Sequence, residues 1–137
     1  MGWLLVAALL QGSPSAPLRS LEKGSQSFVD DMKQVTVRTA DEWNAVWKRH
    51  APDRPAPQVD FSREMVVGIF VGSRSSAGYS VEVVGVEKQA AEPGGIIVRY
   101  KETVPGRAAV TAQIVTSPYH LVAVPKQDGP VKFAKVE

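Results

Sequence analysis

The chain has 137 residues, of which 44% are apolar and 22% charged, and its formal net charge is +2. That length suits one domain with its own core, with too little charge for a disordered chain and no basic stripe of the kind that binds nucleic acid. Without a single cysteine, disulfides, thiolate chemistry, Cys-based zinc sites and lipid attachment through Cys are all excluded.

Trp3 to Leu10 is an apolar run, followed by Gly12, Ser13 and Pro14 and a small-residue end at Ala16. This resembles the hydrophobic and cleavage regions of a secretory signal and is too short to span a bilayer. No Lys or Arg precedes the run. The expectation is a signal peptide over residues 1–16, export to the periplasm or beyond, and no stable membrane insertion after cleavage. A polar leader over 17–26 and one globular domain over 27–137 would follow.

Ser27 to Asp30 reads as a weak strand. "KQVTVRT" alternates, with Val35 and Val37 on one face and Thr36 and Arg38 on the other, as in a half-buried strand. The period then changes. Thr39 followed by Glu42 is a capping box, and Trp43, Val46, Trp47 and His50 recur at helical spacing until Pro52. The spacing predicts a helix from Ala40 to about His50, its two indoles in the core.

After a Pro-rich connection, "EMVVGIFVG" is apolar on both faces, as a covered central strand requires. "GYSVEVVGVEK" alternates, and "GIIVRYKET" is a further strand that ends before "VPG". "VTAQIVTSPYHLVAVPK" reads as one long strand interrupted near Pro118, and "VKFAKV" closes the chain. Short connections cannot make the crossovers that parallel pairing needs. The predicted fold is therefore α+β: a strongly bent, mostly antiparallel sheet of six or seven strands with one N-terminal helix packed on it. A small barrel is the alternative.

The motifs of catalysis are wanting. Around Ser80, "GYSVE" lacks the second glycine of a nucleophile elbow and runs straight into a strand. His50 and His120 have neither metal-ligand spacing nor a carboxylate placed to orient them. Gly72 to Gly78 is not a phosphate loop, because no Lys-Ser/Thr pair opens a helix after it. A small-ligand or anion-binding domain that uses the Gly72–Tyr79 loop, through its N–H groups and Arg74, stays open as a second reading, and a hydrolase as a third.

Several segments in series resemble the C-terminal domain of the PrcB family, named for a non-catalytic subunit of a bacterial surface protease complex. They are "VDF" at Val59 to Phe61, "AGYSVEV" at Ala77 to Val83, "VPG" at Val104 to Gly106, and "TSPYHLV" at Thr116 to Val122 followed by "VPK". The resemblance implies an exported bacterial domain that helps stabilise or assemble a partner protease. With no spaced nucleophile–base or metal set in the sequence, the expectation is a non-catalytic interaction module without cofactor or metal, whose protein partner is a protease or an envelope complex. The two segments that interrupt apolar strands are the candidate partner-binding residues: Arg74, Ser75, Ser76 and Tyr79 in one, Pro118, Tyr119 and His120 in the other. Arg74, among small residues, is expected to hold its guanidinium in solvent.

Overall fold

A computed structural model describes residues 15–107 and 109–137. Among the described residues seven strands and one helix follow in order: β1 Arg19–Gly24, β2 Met32–Val37, α1 Ala40–His50, β3 Glu64–Val71, β4 Ser80–Lys88, β5 Ile96–Thr103, β6 Tyr119–Pro125 and β7 Val131–Val136. They form two sheets, β1-β6-β3-β2 and β4-β5-β7. The α+β class, the strand number and the N-terminal helix are as the sequence implies; the sheet is split in two and does not close into a barrel.

The helix forms where its caps are. Thr39 Oγ1 accepts from the N–H of Glu42 at 3.1 Å, and the Glu42 carboxylate reaches back to the N–H of Arg38 at 2.8 Å. Ala51 N–H closes the last turn onto Trp47 O at 2.7 Å. Trp43 and Trp47 point into the core, and their indole N–H groups donate to Pro57 O and Arg54 O. The Pro-rich connection is thereby pinned to the helix that precedes it.

Three layers result. Met65, Val67, Ile69, Val122 and Val124 on one face of the four-stranded sheet meet Val81, Val83, Val86 and Val98 of the other. On the opposite face Val66, Phe70, Tyr119 and Leu121 meet Trp43 and Trp47. The central strands β3 and β6 are covered on both sides, so they have no polar face. Gly68 sits between them, where a Cβ would lie 2.4 Å from Leu121 Cδ2. Any larger residue would displace Leu121 from the layer beneath α1.

Three expectations need correction. Residues 17–26 are not a leader, because Arg19–Gly24 pairs antiparallel with β6. An edge strand with a bulge between Ser20 and Glu22 buries little, so "RSLEKG" shows no alternation. Ser27 to Asp30 forms no strand. The long strand before Pro118 begins only at Tyr119, since Val110 to Val115 lies beyond the sheets with no strand beside it. The pairing is mostly antiparallel, as expected, and one pair, β5 with β7, is parallel. The chain between them crosses through β6 in the other sheet, which supplies the crossover without a helix.

The expected signal segment lies mostly outside the described residues. Its end does not: Ser15 bridges to Glu87, and Ala16 is buried with its N–H on Val86 O at 2.7 Å. Among the described residues no helix is long and apolar enough to cross a membrane.

Candidate interaction surface

β3 ends, β4 begins, β5 ends and β6 begins at one end of the sandwich. Two loops meet there. The first is Gly72 to Tyr79, opened by Gly72 at φ +86°, a backbone conformation that favours glycine. The second is Val104 to Pro118. Arg74 and Thr116 exchange backbone hydrogen bonds at 2.7 and 2.9 Å, and Ala77 N–H donates to Ala112 O at 2.9 Å. Thr116 Oγ1 adds a bond to Ser76 O, and Val71 N–H reaches Pro118 O. The "GSRSSAGY" run is therefore one half of a two-loop ribbon and is not slack.

Arg74 is not in solvent, contrary to expectation. Its Nε and Nη2 donate to Glu102 Oε2 at 3.2 and 2.8 Å, and Nη1 donates to Val71 O and Ser73 O at 2.9 and 3.2 Å. Its plane lies over the Tyr79 ring, 5.7 Å from the centroid. Glu102 stands at the end of β5, 28 residues away, so no local pattern announces the pair.

The other candidates divide by burial. Ser75 is exposed and Tyr79 half-buried beneath Arg74, whereas Ser76, Pro118, Tyr119 and His120 are buried. Buried side chains do not meet a partner directly; these four hold the fold beneath the loops. His120 Nδ1 accepts from Val83 N–H at 2.9 Å, so the proton sits on Nε2, which donates to Ser20 Oγ at 2.8 Å. Burial first, with Lys23 adding to it, pushes His120 below its ordinary value. With Nδ1 taken and Nε2 protonated, this ring is not placed to deprotonate Ser20.

A second histidine sits in a denser network. His50 is 0% exposed. Its Nε2–H donates to Glu22 Oε1 at 2.9 Å, and its Nδ1 accepts from Ser27 Oγ at 2.7 Å. Glu22 also accepts from both Arg54 amino groups and from Tyr119 OH. Burial would raise the Glu22 carboxyl, but these donors outweigh it and hold it at about 2. Burial, helped by Glu22, pushes Tyr119 up to about 12. The Ser27, His50 and Glu22 line has triad chemistry on paper. Its imidazole is closed off by Trp47, Phe70 and Tyr119, and Ser27 Oγ already accepts from Val29 N–H at 3.0 Å. What the network does is join β1, the end of α1 and the start of β6.

Seven large apolar side chains are exposed among the described residues. Six of them, Phe28, Met32, Val104, Val110, Ile114 and Val115, lie at the two-loop end, and only Val84, at the bulge of β4, does not. Ser27 N–H on Ser117 O and Ser73 N–H on Asp30 O bring the Phe28 to Met32 segment to the same end. Sequence reading missed these residues because "VTAQIV" has the alternation of a strand, which hides its exposure. A cleft of about 540 Å³ opens at the opposite end, between Trp43, Phe61 and the Arg19–Glu64 pair. None of the seven predicted residues lines it.

Residues 65–125, from β3 through β6, match the family model PrcB C-terminal, the family that the quoted segments resemble. No curated protein and no solved structure matches the chain.

Proposed function

We propose, from the match of residues 65–125 to the PrcB C-terminal family, that this chain is an exported, non-catalytic module that helps assemble or stabilise a bacterial protease complex. The two-loop end is its partner-facing surface. The carrying observation is the gathering of six exposed apolar side chains at one end of the fold, four of them (Val104, Val110, Ile114 and Val115) on a loop that is itself hydrogen-bonded in place. Single exposed apolar residues are ordinary on a protein surface, but a cluster on one face favours association. A pre-ordered loop also loses less entropy on binding.

The anion reading is less well supported, because Arg74 already faces a carboxylate and two carbonyls. The hydrolase reading lacks an accessible base, since His50 and His120 are both buried with their ring nitrogens engaged.

The test is capture from the native host with the full chain as bait, alongside Val110→Asp/Val115→Asp. We expect a protease-containing complex with the parent and a clear loss with the variant. Its stability should stay within about 0.5 kcal/mol, as surface substitutions usually do. Undiminished capture by the variant would remove the loop end from consideration. Ester or peptide hydrolysis by the purified parent, abolished in Ser27→Ala with the fold intact, would overturn the non-catalytic reading.

A further inference from the structure

A second surface lies at the free edge of β2, and Met32, the first residue of that strand, is all it shares with the two-loop end. β2 pairs with β3 alone, in unbroken register from Met32↔Val71 to Val37↔Val66. Its outward N–H and C=O groups are bonded to nothing among the described residues. The other edges are each defended. β1 and β4 carry bulges, and β7 presents Lys132 and Lys135. β2 has neither bulge nor proline.

Between this edge and α1 is an apolar pocket of about 170 Å³, floored by Val29, Val35, Val46 and Phe70. A cavity of about 150 Å³ holds one benzene ring, so this one has room for a single large apolar side chain. Lys33 from β2 and Arg49 from the last turn of α1 complete its lining. Neither makes an ion pair or side-chain hydrogen bond among the described residues, and no carboxylate lines the pocket. The site therefore combines an unpaired strand edge, one apolar socket and two unneutralised cations.

We infer that the β2 edge and the pocket beside it form a docking groove for an extended, acidic segment of a partner protein. The segment adds a strand beside β2 and places one apolar side chain in the pocket. Carboxylates two residues to either side meet Lys33 and Arg49. Strand addition supplies main-chain hydrogen bonds, and the pocket supplies selectivity. The period of two fixes the spacing, since only residues i−2 and i+2 share the face of the anchored side chain.

The probe is the blocked peptide acetyl-Thr-Glu-Thr-Phe-Thr-Glu-Thr-amide, titrated into the full chain and followed through backbone amide shifts. Saturable shifts should concentrate on Met32 to Val37 and the facing side of α1. Lys33→Glu or Arg49→Glu should each weaken binding by about five- to tenfold, as should Phe→Ala in the peptide. Lys in place of both Glu should abolish binding. Shifts confined to other strands, or equal affinity for the Lys peptide, would overturn the inference. So would concentration-dependent dimerisation through β2 that the peptide cannot displace, which would give the edge to a second copy of the chain. Val110→Asp/Val115→Asp should bind the peptide as the parent does, so this test and that of the loop end fail separately.

Discussion

Arg74 and Glu102 join the two sheets: the guanidinium leaves the end of β3 and both of its nearer nitrogens meet one carboxylate oxygen of β5. The pair is mostly shielded, with the Glu102 side chain 11% exposed. Lys135 stands on its other oxygen at 3.5 Å. Removing one member leaves the other partly buried and under-neutralised, which is more damaging than losing a surface pair. Arg74→Glu should therefore destabilise the fold by roughly 1–3 kcal/mol, a discount from a fully buried pair because Arg74 is still partly wet. Urea unfolding of parent and variant measures it. An unchanged midpoint would show that the clamp contributes nothing. Binding data on any Arg74 variant are interpretable only after this correction, since the loop itself depends on the pair.

Acid should weaken the protein in two stages. His50 lies below its ordinary value of 6.5 because burial outweighs the pull of Glu22. The unfolded chain then takes up a proton that the folded one resists, so stability begins to fall as pH drops below about 6.5. Glu22, at about 2 against an ordinary 4.5, adds a second loss as pH falls from about 4.5 toward 2. Both slopes have the same sign. Glu22→Gln should remove the second stage and cost on the order of 2 kcal/mol at pH 7, after allowing for partial solvent screening. Unfolding free energies between pH 3 and pH 8 decide it. A variant whose acid limb parallels the parent's would show that Glu22 is not the group responsible.

What was legible in the sequence is what local chemistry governs. Thr39 and Glu42 mark the start of the helix and Pro52 lies just past its end, and "MVVGIFV" can only be a strand covered on both faces. Illegible were the partners that folding brings from afar. Glu22 meets His50 across 28 residues and Tyr119 across 97, and no periodicity records either. For the same reason the Ser-Pro-Tyr-His break reads as a surface motif: its polar groups look idle until Glu22, Ser20 and Val83 are placed beside them. The loop Arg misled for the opposite reason to β1. Small neighbours suggested exposure, while the charged "RSLEKG" suggested a leader and proved to be an edge strand.

Export, if it occurs as proposed, should leave a mature chain that still contains Ser15 and Ala16. Ala16 is 8% exposed and packs among residues of the inter-sheet core such as Val86, Ile96 and Val124. Its N–H bonds Val86 O, and Ser15 bridges Glu87, so the two extend the edge of β4. A cut after Ala16 would delete that bond and uncover core surface, at a cost of about 1–2 kcal/mol from one buried hydrogen bond and one small apolar side chain. Cleavage before Ser15 carries no such cost. Intact mass and N-terminal sequencing of protein taken from the envelope or medium of its native host should therefore place the first residue no later than Ser15. A mature chain beginning at Pro17 would show that this contact is dispensable, and Met1 retained on cytosolic protein would sink the export proposal itself.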